Sequence, residues 1–216
     1  MCLLMSGTSQ QLTSSSDFGF LDGISQPAVI GWSIDALPGQ AIVPNGVILT
    51  GRVGDTELRP TWALDGTFMA FRYFQQYVPE FNKWTLDNAV QNTANNLTVQ
   101  QAADFTGARM FGRWKSGAPI DITPETDDPS LGSDPERNNN FNFGDTLLDE
   151  TRCPFGAHIR KTNPRLDLPA LSVLNHAIRA SIPYGPEVSS AEASSNTTSQ
   201  DRGLLFGESS LLIKQP

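Results

Sequence analysis

The chain has 216 residues, 38% of them hydrophobic and 12 of them Phe, enough for a packed domain, while 18 glycines and 15 prolines imply many loops. A formal net charge of -8 argues against a non-specific nucleic-acid face and against docking on anionic lipid. No run of about 20 apolar residues occurs, so the sequence offers no membrane-spanning helix.

Met1 to Met5 is apolar but too short for a signal sequence, and it lacks a basic leader. Ser6 to Ser16 is rich in Ser and Thr. Residues 1–16 therefore read as a non-native-looking or disordered start, as in a chain that begins inside a larger protein. Phe18-Gly19-Phe20-Leu21-Asp22-Gly23-Ile24-Ser25-Gln26-Pro27 is the first motif. Its glycines let the backbone turn sharply and approach a flat ligand; an ordinary Asp-Gly turn is the plainer meaning.

From Pro38 to Asp55, glycine and proline punctuate two apolar runs, Ala41-Ile42-Val43 and Val47-Ile48-Leu49, which read as short strands. Asp65-Gly66 turns into the aromatic run Thr67 to Phe74, expected to be a buried strand. Pro79 to about Asn92 and about Val99 to Phe111 read as helices. Phe81, Trp84 and Val90 share a face of the first, and Ala102, Ala103, Phe105 and Met110 mark the second. Gly112 to Pro119 breaks the pattern. Residues 121–145 read as a long solvated loop, whose acids lack the spacing of a calcium-binding loop.

Thr151 to Arg165 centres on His158, one of two histidines. Pro154, Phe155, Gly156 and Ala157 precede it, and Arg160, Lys161 and Arg165 follow. An apolar approach to one imidazole, with cations just beyond, suits a ligand with a soft centre and an anionic rim, as heme has. A lone histidine is more often a surface or core residue. Leu168 to Arg179 is short and apolar and contains His176. Ser189 to Gln200 reads as another polar loop, and Asp201 to Phe206 as a strand. Cys2 and Cys153 show no paired spacing for a zinc or redox motif. Two glycosylation sequons, Asn96-Leu97-Thr98 and Asn196-Thr197-Thr198, give modest support for secretion.

Taken in order, Gly-Phe-Leu-Asp-Gly at 19–23, Gly-Arg-Trp-Lys-Ser-Gly-Ala-Pro at 112–119, the His158 segment, Arg-Ala-Ser-Ile-Pro-Tyr-Gly at 179–185 and Arg-Gly-Leu-Leu-Phe at 202–206 resemble the dye-decolorizing peroxidases, especially their fungal secreted branch. The resemblance covers residues 17–206 and leaves 207–216 as a divergent tail. It implies an α+β fold: a ferredoxin-like, heme-binding half of a dimeric α+β barrel, truncated at both ends. It implies heme b with His158 as the iron ligand, Asp22 as distal acid and base, and Arg179 as its partner. Leu204 and Phe206 would line the distal face, Arg160 and Arg165 would meet the propionates, and Ile24, Ser25 and Gln26 would pass the heme edge. Trp114 and Tyr184 would be stations for electron transfer or, more simply, packing residues. No acid matches the one that hydrogen-bonds the ligand histidine in the family.

The implied activity is reduction of hydrogen peroxide with oxidation of phenols, dyes or similar small organic reductants, in an extracellular setting, with no nucleic-acid or membrane partner. The alternatives are a truncated, non-catalytic heme-binding remnant and a heme-free secreted structural domain. An open sheet edge would leave the isolated chain poorly stable.

Overall fold

The computed structural model of the chain describes residues 18–21, 26–32, 35–91, 96–167 and 175–211. Two short strands, β1 (Ala28–Val29) and β2 (Ile42–Val43), pair in parallel. Val29 and Val43 bury themselves with Val47, Ile48 and Leu49, and Ile178 packs against the group. The second expected strand is instead a 3-10 turn over Asn45–Val47. Gly46 explains it: a Cβ there would stand 2.4 Å from the Arg52 carbonyl oxygen, a closeness only glycine tolerates. The apolar run buries itself from a turn as well as it would from a strand.

The main sheet has three antiparallel strands, with β5 (Gly203–Ser210) between β3 (Phe68–Gln75) and β4 (Ile178–Tyr184). β3 forms as expected, but it is not buried: every residue except Ala70 is exposed, Met69 by 70%. Aromatic side chains suit a pleated strand whether or not anything covers it, so the run gave the element and not its burial. β5 continues through Ser210, past the point where the tail diverges.

Two helices follow β3. α1 (Val78–Asp87) stops short of the expected end, leaving Val90 outside it. α2 (Val99–Phe111) matches its expected span. Thr98 caps it, accepting from the Gln101 backbone while Gln101 bonds back, and Gly112 ends it in the left-handed conformation. Replacing such a cap by Ala costs about 1 kcal/mol.

The core is built largely from residues 112–143, and the stretch 121–145, expected to be a solvated loop, contributes Leu131, Phe141 and Phe143 to it. Trp114, Ala118, Ile120, Leu131, Phe141 and Phe143 pack with Phe105 and Ala108 of α2 and with Cys153 and Ala157. Within it, α3 (Pro129–Gly132) is capped by Asp128, one of the acids that composition had assigned to solvent. The short α4 (His158–Thr162) packs mainly on α2. Cys153 is fully buried, and burial pushes its thiol up to about 12.

The second expected polar loop contains α5 (Ser190–Ser195), with a capping box between Ser189 and Glu192. Glu192 and Arg202 form an ion pair at 2.7 Å with both side chains 2% exposed. Glu192 also accepts from the Ser199 and Gln200 amides, and Arg202 donates to the Pro186 carbonyl, so the pair fixes the start of β5. The Arg202 guanidinium, followed by the Ser189 and Ser199 amides, holds the Glu192 carboxyl far below the usual carboxylate range. A depressed acid adds stability above its ordinary pKa and loses it as the pH falls. Glu192→Gln is therefore expected to lower the urea midpoint at pH 7, with the gap from wild type narrowing below about pH 4. Urea titrations at both pH values check this.

Candidate functional site

The strand register gathers residues that lie far apart in sequence. Arg179 pairs with Glu208, Ser181 with Phe206 and Pro183 with Leu204. Opposed residues share a face, and so do residues two apart, so Arg179, Leu204 and Phe206 stand on one side of the sheet. Phe74 joins them from β3, its ring 5.9 Å from that of Phe206. Three expected site residues are thus brought together. Glu208, directly opposite Arg179, was not foreseen, because strand pairing is invisible in the linear sequence.

The first motif is tied down at both described ends. Phe20 lies against α2 at Gly107, where a Cβ would come within 2.8 Å of its ring. Its ring stacks on Phe111 at 4.2 Å, and Phe18 meets Phe81 of α1 at 4.7 Å. The Leu21 amide donates to the Lys115 carbonyl. At the other end, the Gln26 amide nitrogen donates to the Arg179 carbonyl, while the Arg179 N–H donates to Gln26 Oε1 at 3.0 Å. Asp22, Ile24 and Ser25 lie outside the described residues.

His158 begins α4 and is exposed, on the helical side of the molecule rather than on the sheet face. Arg160 is enclosed in the core. It is 2% exposed, and its Nη1 and Nη2 donate to the carbonyls of Asp149, Cys153 and Thr146. The rings of Phe143 and Phe155 lie 4.9 and 4.3 Å from its guanidinium carbon. A cation so enclosed braces the chain ahead of His158.

Arg165 also bonds to carbonyls, those of Gly39, Asn139 and Phe141, but all three bonds run through Nη1. Burial lowers its pKa to about 10, still charged at neutral pH. Two further braces were not foreseen. Arg109 donates to the carbonyls of Glu150 and Thr151, and buried Arg113 to those of Gly117 and Asn138. Burial raises the pKa of Asp121, opposed by the nearby cations Arg152, Arg160 and Arg165. Trp114 is buried, its indole N–H on the Thr123 carbonyl, which fits packing. Tyr184 stacks on Tyr73 at 4.6 Å, and the Tyr73 hydroxyl donates to Asp201 at 2.6 Å.

Sheet, helices and this set of side chains define a ferredoxin-like half of an α+β protein, with a guanidinium and apolar side chains on the sheet face and an imidazole on the helical side. No family model matches the chain. It is 56% identical over 200 residues to a dye-decolorizing peroxidase of Auricularia auricula-judae, covering 88% of this chain and 38% of that protein. It is likewise 56% identical over 199 residues to peroxidase 2 of Mycetinis scorodonius, with the same coverage. A solved dye-decolorizing peroxidase in complex with 2,6-dimethoxyphenol superposes with a TM-score of 0.88 at 67% identity, covering 92% of this chain and 45% of that one. The Auricularia auricula-judae structure superposes with a TM-score of 0.85 at 52% identity, covering 92% of this chain and 46% of that one. The chain belongs to the dye-decolorizing peroxidase family and spans less than half the length of these relatives.

Arg160→Lys keeps the charge but loses the planar fork that reaches several carbonyls at once. The expected result is a stability loss on the order of 2–4 kcal/mol, from buried carbonyls left without a donor. Urea denaturation measures it, and a variant as stable as wild type would show that the brace is dispensable.

Proposed function

We propose that this chain carries the heme-binding half of a peroxidase that reduces hydrogen peroxide and oxidises phenols, dyes or similar small organic reductants. The observation that carries the reading is the gathering of Arg179, Leu204 and Phe206 on one sheet face, with Gln26 of the first motif bonded to the Arg179 backbone. The side chains fit heme. His158 is exposed at the start of α4. Arg165 keeps Nε and Nη2 outside its carbonyl bonds, which suits a carboxylate rim.

Heme b, when bound, would supply the iron centre and the store of oxidising equivalents. His158 would give its lone pair to the iron. Asp22 would take a proton from one peroxide oxygen and return it to the other as that oxygen leaves as water. Arg179 would stabilise the negative charge that develops as the O–O bond breaks. Leu204 and Phe206 would keep that face dry, and Ile24 and Ser25 would lie along the heme edge. Two reductant molecules would each give up one electron to complete the cycle. Tyr184 would serve as an outlet for reductants too large to enter. An extracellular setting agrees with the acidic composition and the two sequons. The exposed faces of β3 favour a second reading, in which the chain binds heme without turnover.

His158→Ala is expected to abolish heme loading, whereas His176→Ala retains it. His176 is half-buried beside the sheet, its carbonyl accepting from Ser210. Equal heme absorbance in the two variants would remove His158 from the ligand role. Heme loading without peroxide-dependent dye bleaching by wild type would favour the second reading.

Asp22→Asn is expected to keep the heme spectrum and to slow the reaction with peroxide by about 10²–10⁴-fold, the usual share of acid–base catalysis. The wild-type rate should show an acidic ionisation that the variant lacks. Stopped-flow mixing with peroxide across pH tests this, and a variant within a few-fold of wild type throughout would leave Asp22 as a turn residue.

A further inference from the structure

Arg179 sits on β4, an edge strand of the sheet among the described residues, with β5 as its strand neighbour. Its N–H and C=O both meet the carboxamide of Gln26, from 153 residues earlier. Both groups therefore point away from β5, which makes Arg179–Glu208 a non-hydrogen-bonded pair, the narrow kind with close side chains. A single side chain satisfies both backbone groups of one residue, as a neighbouring strand would. Gln26 is itself held: its carbonyl accepts from Gln40 Nε2 at 3.0 Å, and Pro27 leads directly into β1. The small sheet then packs on Ile178, the residue before Arg179. The clamp thus stands where the two sheets meet and fixes one residue of the edge strand from outside.

We propose that Gln26 is a positioning residue for Arg179. Its carboxamide holds the Arg179 backbone against strand fraying and so sets the base from which the guanidinium reaches the sheet face. The chemistry requires this side chain. Asn is one methylene too short, Glu in its charged form has no donor for the carbonyl, and Met matches the length with neither group. Sequence reading had placed Gln26 at the heme edge, a ligand contact; the bonds give it a role through another residue. The proposal rests on the peroxidase reading only for its catalytic consequence, since the clamp itself is a property of the chain.

The test is amide hydrogen exchange on the full chain without heme, in wild type, Gln26→Met and Gln26→Glu, followed by peroxide kinetics on the heme-loaded proteins. Gln26→Met is expected to lose protection at the Arg179 amide by about tenfold, and Gln26→Glu, which keeps the acceptor for that amide but loses the donor to the carbonyl, by less, while amides of the central strand β5 keep theirs. Wild-type protection at Arg179, or an equal loss throughout the sheet, would overturn the clamp. With heme loaded, Gln26→Met is expected to react with peroxide about tenfold more slowly, with unchanged heme content and an unchanged KM for the dye. A selective loss of protection with a peroxide rate within twofold of wild type would overturn the positioning role. A wild-type chain that loads no heme would sink the peroxidase reading and leave the exchange result standing.

Discussion

Guanidinium groups bonded to backbone carbonyls hold this structure together more than any ion pair does. The connection from the end of α2 to the start of α4 is long and largely irregular, yet it lines the core. A buried irregular backbone must find donors for its carbonyls, because the cost of leaving them dry and unpaired is high. Arg113, Arg160 and Arg165 provide those donors, to carbonyls spread from Gly117 to Cys153, and Arg109 adds bonds to the exposed carbonyls of Glu150 and Thr151. Only arginine could do this, since its planar fork offers several donors in fixed directions. The flat faces of the same groups rest on Phe141, Phe143 and Phe155, so the charge is enclosed by rings as well as carbonyls. Asp121 is a buried counter-charge nearby, and its raised pKa shows burial outweighing the attraction of the surrounding cations.

This brace decides what His158 can be. The histidine opens a helix of five residues, too short to hold its own direction. Its orientation comes from Ala157 and Ile159 packed into the core and from Arg160 locked beneath. The cations that looked from the sequence like a ligand's anchors serve first as anchors of the backbone.

Legibility followed the range of the interaction. α2 was readable to the residue because its signals are local: Thr98 with Gln101 at one end and Gly112 at the other. β3 and β5 were readable as strands from their side chains, whereas β4 was not, because its Arg, Ser and Pro interrupt any apolar alternation. The partial burial of residues 121–145 was not readable, because Asn138 and Asn139 look solvated until Arg113 is placed against them. The same limit applied to α5, whose Ser-rich sequence hides the buried pair of Glu192 and Arg202. For the candidate site, family motifs named Arg179, Leu204 and Phe206, and strand register explained why they belong together. The carbonyl bonds of Arg160 were not legible, because spacing from a histidine does not say which way a guanidinium points.

The two sides of the candidate site hang on different parts of the fold. His158 belongs to the arginine-braced helical core, whereas Arg179, Leu204 and Phe206 belong to a sheet whose first strand is widely exposed. Their separation is therefore set by what joins core and sheet, and the first motif is one such join. Phe18 and Phe20 fill the space between α1 and α2, with Gly107 making room for a ring. Eight residues after Phe18, Gln26 is bonded to the edge strand. The motif has one anchor on the helices and the other on the edge strand, and it joins them only if neither slips. That requirement accounts for the aromatic and glycine pattern before Asp22, and for a glutamine rather than a hydrophobic residue after it.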